Sequence, residues 1–355
     1  MAKGMVIVAM SGGVDSAVAA GLLKEAGYRV VGIHMRLWPQ GETSLYQHSC
    51  CSLEGAESAR RVCQILGIPF YIMNFEAEFR ALVVDYFCDE YRQGRTPNPC
   101  LACNHHIKFQ ALLSQALQLG ADHLATGHYA RIVFDDGYYH LLKAVDKEKD
   151  QSYVLYTLTQ TQLRHLLFPT GEYSKREVRD MAQRWGLPVA SRPDSQDICF
   201  VPYGDYRAFL KQRLPEKPGE IVDTQGNVLG RHGGIAHYTV GQRHGLPPLR
   251  RGHSIPYYVI RIETGTNRVV VGPKEELCRD RLFIGAMNFI GPFPSPDHVL
   301  TARVRYHAPE VSAIMNLRDG GAEIRLEGEQ QAIAPGQALV LYHGDRVVGG
   351  GTIVE

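Results

Sequence analysis

No run of residues in this chain is both long and apolar enough to span a bilayer, which takes about 20 residues. Neither sign of charge prevails: 38 Lys and Arg face 37 Asp and Glu, a formal net charge of +1. Global charge therefore gives no sign of a nucleic-acid partner, and any such partner must be held by local patches. The first residues lack the charged, apolar and cleavage-site layout of a secretory signal, and their apolar run reads as a strand. There is no internal repeat and no low-complexity tract.

What is present fits a soluble globular protein. The 355 residues allow two or three domains, and 45% hydrophobic with 21% charged residues is an ordinary balance. Eight cysteines without a secretory signal imply thiols in a reducing compartment, so the expected location is the cytoplasm. Such thiols are candidates for catalysis or metal binding before structural disulfides.

The most informative stretch is Ser11-Gly12-Gly13-Val14-Asp15-Ser16. It follows an apolar strand-like run, Met5 to Met10, and precedes a helical run, Ala17 to Ala26, that Gly27 ends. Strand, glycine turn and helix start together make an anion cradle, because glycine admits close approach and the first-turn N–H groups point outward. Ser11 and Ser16 add hydroxyls, and Asp15 is placed to hold a magnesium ion bridging phosphates. A Walker loop is excluded, since no lysine lies in this stretch, and so is the three-glycine dinucleotide fingerprint. The string resembles the loop of ATP pyrophosphatases, which split ATP between its α and β phosphates.

From Met1 to about Cys199 strands and helices alternate, which predicts a doubly wound parallel sheet covered on both faces. Strands are expected at 29–35, 70–74 and 123–126, with helices near 54–66, 76–92, 108–119, 159–166 and 175–185. A hairpin is expected over 131–142, turning at Asp135-Asp136-Gly137. Ligands of open α/β sheets lie at the carboxyl ends of strands, which gathers the loop after Met10, Met35 and Gly127-His128 around one crevice. After Tyr203 short β-rich runs dominate, at 219–223, 257–261 and 268–271. Further short strands at 299–306, 311–317, 322–326, 338–342 and 346–354 predict a small closed barrel. Pro292 to Pro296 reads as a rigid connector or loop. The expected division is 1–202 for an α/β catalytic domain, 203–278 for a β-rich central domain and 279–355 for the barrel.

Cys100-Leu101-Ala102-Cys103 follows Pro97-Asn98-Pro99, whose prolines predict a loop that presents both thiols just before a helix starting near Ile107. A thiol near a helix N-terminus is more readily ionised. Cys199 stands alone, with Arg192 nearby in sequence. Cys63, Cys88 and Cys278 read as small buried hydrophobes; Cys50 and Cys51, after His48, read as non-catalytic. A zinc knuckle on Cys100, Cys103, His105 or His106 lacks a second matching pair. An iron–sulfur cluster on Cys100, Cys103 and Cys199 is the stronger alternative, leaving one iron open to bind sulfide.

At this point six blocks, in order, resemble one family, the tRNA-specific 2-thiouridylases, over nearly the whole chain. They are residues 11–16; Gly94-Arg95-Thr96-Pro97-Asn98-Pro99 with Cys103-Asn104; Ala125-Thr126-Gly127-His128-Tyr129; Lys149-Asp150-Gln151-Ser152-Tyr153; 195–200; and Tyr238-Thr239-Val240-Gly241-Gln242-Arg243. The resemblance implies an ATP-dependent sulfurtransferase that adenylates O2 of the wobble uridine and replaces it with sulfur from a cysteine persulfide. It implies tRNAs of the Lys, Glu and Gln type as substrates and a persulfide or sulfur-relay protein as donor. By the same resemblance Ala9, Met10, Ser11, Gly12, Gly13, Val14, Asp15 and Ser16 bind ATP, with Met35 and Gly127 against the adenosine. Cys103 matches the nucleophile and Cys199 the persulfide carrier. Asn98, Pro99, Cys100, His128, Lys149, Asp150 and Gln151 line the tRNA contact, and Arg305, Tyr306 and Gln337 are barrel contacts. Some members carry Asp where this chain has Cys100, so a base contact through that carboxylate is not carried over; the change also completes a Cys-x-x-Cys pair. Two other classes stay open: an amidating ATP pyrophosphatase acting on a small molecule, for which no glutaminase domain is evident, and a non-catalytic zinc-stabilised tRNA-binding protein.

Overall fold

Along the first strand, Ile7 and Ala9 face one core while Val6, Val8 and Met10 face another. This two-residue alternation of buried side chains is what a sheet covered on both faces requires. The structure is a computed structural model describing residues 3–39, 53–194, 198–201, 204–249, 256–293 and 299–354. His48, Cys50, Cys51, Ser195, Gln196, Asp197, Pro294 and Pro296 lie outside the described residues.

Seven strands fall in the first part: β1 (Lys3–Ala9), β2 (Tyr28–Arg36), β3 (Phe70–Asn74), β4 (His123–Ala125), β5 (Ala130–Asp135), β6 (Tyr138–Lys143) and β7 (Leu166–Leu167). A five-stranded parallel sheet has the order β3-β2-β1-β4-β7, so the expected doubly wound architecture is present. Its helices are α1 (Val14–Glu25), α2 (Leu53–Leu66), α3 (76–92), α4 (99–118), α5 (Gln160–Leu163) and α6 (Lys175–Arg184), and α7 (Tyr206–Lys211) follows. The helix expected at 159–166 stops at Leu163, because Leu166 and Leu167 pair with β4 instead.

The loop expected to end near Ile107 is a correction. Residues 99–118 form one continuous helix whose middle, Cys103–Leu112, is π-helical. Pro99 takes the first helical position, where its missing N–H costs nothing, and the Asn98 side chain caps the helix by accepting from Cys100 N–H at 3.1 Å. The prolines exclude helix before Pro99, not after it.

The central region holds β8 (Gly219–Val222), β9 (Val228–His232), β10 (Tyr258–Glu263) and β11 (Arg268–Gly272), in the order β10-β11-β8-β9. Its small core comprises Ile221, Leu229, Val259, Val269 and Val271. Then follow β12 (Arg279–Phe289), β13 (Leu300–Arg303), β14 (Val311–Arg318), β15 (Gly321–Gln330), β16 (Ala338–His343) and β17 (Arg346–Ile353). They run β12-β15-β14-β13-β16-β17, and β12 also pairs with β17, which closes a six-stranded barrel. The hairpin of β5 and β6 turns at Asp136 and Gly137, both with positive φ. It extends the barrel sheet through β6 and β17, so two strands from within 1–202 join the C-terminal sheet. Among the described residues no helix is long and apolar enough to cross a membrane.

Candidate active site

β1 delivers the chain to Met10, whose N–H donates to the Ile33 carbonyl at 2.8 Å, while buried His34 hydrogen-bonds the Met10 carbonyl through Nδ1 at 2.8 Å. The turn that follows needs its glycines. Gly12 has φ +78°, and a Cβ there would lie 2.2 Å from the Gly55 carbonyl oxygen of α2. Ser16 Oγ accepts from Ser11 N–H at 3.2 Å and donates to the Gly13 carbonyl at 3.1 Å. The serine hydroxyls thus brace the loop. Gly13 begins α1 without a side-chain cap, the arrangement in which first-turn N–H groups can receive an anion. Arg192 Nη1 donates to the Gly12 carbonyl and to Ser58 Oγ, each at 3.0 Å, so it supports the loop from outside.

Met35 is buried near the end of β2, beside the end of β1. Gly127, after β4, approaches the first turn of α1 so closely that a Cβ would stand 2.6 Å from Asp15 C and Ser16 N. The structure therefore places residues 9–16, Met35 and Gly127 together at the carboxyl ends of β1, β2 and β4.

Behind the cradle lies a charged network that sequence inspection missed. Lys175 Nζ donates to both Asp15 oxygens, at 2.7 and 2.9 Å, and pairs with Asp194 at 2.9 Å. Tyr129 OH donates to Asp15 Oδ1 at 2.8 Å; burial first, then the Asp15 carboxylate, pushes the phenol far above its usual range. Asp194 also pairs with Lys149 and Arg179 at 2.9 Å each. Burial alone pushes the Asp194 carboxyl up, yet the bonds and charges of Lys149 and Lys175 outweigh it and hold it at about 2. The string Ser174-Lys175-Arg176-Glu177 announces a capped helix start, which α6 has, but not what its lysine faces.

Cys100 is exposed and Cys103 half-buried on the first turns of α4; Cys103 and half-buried Cys199 pack against the same core cluster. Phe200, next to Cys199, is anchored among Trp38, Phe79, Phe87 and Phe209. Asn104 donates to the Val154 carbonyl at 3.0 Å and fixes the helix just past Cys103. Ahead of α4, Thr96 N–H donates to the Pro335 carbonyl at 2.7 Å, and the Gln337 amide donates to Thr96 O at 2.7 Å. Arg95 is held by Glu90, with one contact at 2.7 Å. The barrel thus grips the segment that presents the cysteines.

Tyr306 lies among Asp150, Cys100, Arg303 and Gln151, and burial first pushes its phenol up to about 12. Lys147, Glu148, Asp150, Arg303, Tyr306 and His307 line a cavity of about 240 Å³ between the N-terminal part and the barrel. Arg305, beside it, is exposed. Three expected contact residues sit inside the protein. Pro99 is buried as a helix start, and the Asp150 carboxylate accepts from Ala144 N–H, Ser152 and Arg303. His128 is 8% exposed, with Nδ1 2.7 Å from Thr126 Oγ1 and its ring between Phe109 and Phe168. Burial, and to a smaller degree the Lys108 charge, hold its pKa well below the usual histidine value.

Three family models match in series: a tRNA methyl transferase HUP domain over residues 4–203, a tRNA methyl transferase PRC-barrel domain over 207–273 and an aminomethyltransferase beta-barrel domain over 279–353. The tRNA-specific 2-thiouridylase MnmA of Moorella thermoacetica is 51% identical over 360 residues, covering 98% of each chain. The chain belongs to the tRNA-specific 2-thiouridylase family. Its counterpart in Chloroflexus aggregans is also 51% identical, over 99% of this chain and 98% of that one. A solved structure, the U34-tRNA thiolase NcsA from Methanococcus maripaludis with its [4Fe-4S] cluster, matches at 20% identity and a TM-score of 0.36, over 56% of this chain and 62% of that one. At that level the match carries no argument about this thiouridylase.

In this thiouridylase Cys63 and Cys88 are buried, and burial pushes the Cys63 thiol up to about 12 and raises Cys88 as well. Cys278 is half-buried. Among the described residues no group of three His, Cys, Asp or Glu side chains converges as metal ligands. Both oxygens of Asp15, the carboxylate expected to meet a magnesium ion, accept from Lys175 in this structure.

Proposed function

We propose that this thiouridylase binds ATP at residues 9–16, adenylates O2 of a wobble uridine in tRNA and exchanges that oxygen for sulfur carried by Cys199. Uracil O2 is a poor leaving group, and transfer of AMP onto it makes a good one. The terminal sulfur of a Cys199 persulfide then attacks C2 and AMP departs, leaving sulfur bridged between the base and Cys199. Attack by the Cys103 thiolate on Cys199 Sγ frees the 2-thiouridine and leaves a Cys103–Cys199 disulfide. A cellular dithiol returns two electrons to reopen it. Loss of activity on removing either thiol is the consequence.

What supports this reading most is the full-length match to 2-thiouridylases combined with a braced phosphate loop and two half-buried thiols packed on one core. Residues 1–202 form the catalytic domain in this account, 203–278 the central domain and 279–355 the barrel. Met35 and Gly127 face the adenosine. The tRNA lies over Asn98, Cys100, Lys149, Gln151, Arg305, Tyr306 and Gln337, while Pro99, His128 and Asp150 shape that surface from beneath. The tRNAs are those of the Lys, Glu and Gln type, a relay protein brings the persulfide sulfur, and the reduced thiols belong in the cytoplasm. The uridine turns out of its stack to reach the crevice, which a single-stranded anticodon loop makes inexpensive. Incubation with ATP, tRNA and a persulfide donor, followed by digestion to nucleosides, should yield 2-thiouridine; its absence would refute the assignment.

A further inference from the structure

The phosphate loop has no lysine of its own, yet the fold brings one to it from 160 residues along the chain. Lys175 opens α6, and its N–H donates to Asp146 Oδ2 at 2.8 Å, so its backbone is fixed. The side chain is 12% exposed, with Nζ 5.6 Å from the centre of the Tyr129 ring. It ends against Asp15 at 2.7 and 2.9 Å and against Asp194 at 2.9 Å. Its three donors are thus matched by three carboxylate oxygens.

Asp15 belongs to the first turn of α1, where the anion is expected. A lone carboxylate there would repel a triphosphate, and the ammonium cancels that repulsion. Asp194 has two further cations, Lys149 and Arg179, and Asp15 keeps the Tyr129 hydroxyl. Lys175 can therefore redirect one bond without stranding either carboxylate.

We propose that Lys175 supplies the cationic contact to the departing pyrophosphate that the loop lacks, exchanging one of its two bonds to Asp15 for a bond to a β-phosphate oxygen. This rests on the adenylation reading. In that step uridine O2 bonds to the α-phosphorus, and the bond from that phosphorus to the oxygen bridging to the β-phosphate breaks. The electron pair leaves with pyrophosphate, and the N3 proton passes to water. Negative charge grows on the leaving group, where a fixed cation in a partly dry site stabilises it most. Asp15 and Asp194 are positioning residues that aim the ammonium.

Direct binding of AMP and of pyrophosphate to the full chain, by calorimetry, tests this. Lys175→Met should weaken pyrophosphate by about tenfold or more while AMP changes by less than about twofold, and Lys175→Arg should recover part of the loss. Should Lys175→Met not fold, Lys175→Gln measured in the same way gives the same decision. Equal losses for both ligands, or undiminished pyrophosphate binding in a folded variant, would overturn the role of Lys175. A wild-type protein that binds neither AMP nor ATP would instead overturn the adenylation reading on which it stands.

Discussion

The Gln337 side chain, in the barrel, donates to the Thr96 carbonyl at 2.7 Å, two residues before the Asn98 cap of the cysteine helix. The barrel therefore positions the Cys100–Cys103 turn. Replacing Gln337 with Ala should cost about 0.5–1.5 kcal/mol of stability, one net hydrogen bond. It should lower tRNA affinity and thiolation while AMP affinity stays at the wild-type level, as paired binding titrations would record.

Gly127→Ala tests the close approach of the β4 turn to α1. The added methyl would stand 2.6 Å from backbone atoms of Asp15 and Ser16, which no side-chain rotation relieves. The first turn of α1 must shift, and a displacement of about 1 Å at a reacting group can cost about a hundredfold in rate. Adenylation should fall by about that factor with tRNA affinity retained, in a filter-binding and pyrophosphate-release comparison.

Asp194 makes a pH prediction whose sign is fixed. Its carboxyl titrates at about 2 in the folded protein against an ordinary 3.8, because Lys149 and Lys175 outweigh the opposing effect of burial. A depressed folded value contributes stability that is full above the ordinary value and is lost as pH falls from about 4 toward 2. Asp194→Asn should be less stable than wild type at neutral pH, and the difference should shrink across that window in denaturant melts.

The two thiols separate by mass spectrometry. With a persulfide donor, wild type and Cys103→Ala should each gain one sulfur atom on Cys199, whereas Cys199→Ala should gain none there. Both variants should fail to turn over, and both should still bind AMP and tRNA. Sustained thiolation by Cys199→Ala would remove that residue from the sulfur path.

The phosphate loop was legible because its function needs contiguous residues: two glycines, two serines and a helix start within six positions. The helix starts expected at 159 and 175 follow local rules in the same way, and the structure gives each a capping box. The Cys100 helix was misread because Pro97 and Pro99 look alike in sequence, while only the second sits at a first helical position with Asn98 as cap. Strand β12 went unseen: it opens on Arg279-Asp280-Arg281 and is broken by a bulge near Ala286, whose φ is +46°. The Lys175–Asp15 pair and the Thr96–Gln337 bond span 160 and 241 residues. No local pattern announces contacts of that kind, and they are where the structure adds most to the site.

If ATP is spent by adenylation to exchange oxygen for sulfur, the ratio of nucleotide products to 2-thiouridine records it. In a reaction with ATP, tRNA and a persulfide donor, products should be counted by chromatography of nucleotides and digested nucleosides. One AMP and one pyrophosphate for each 2-thiouridine is the predicted result. ADP and phosphate as the nucleotide products, or AMP formed without 2-thiouridine, would contradict it.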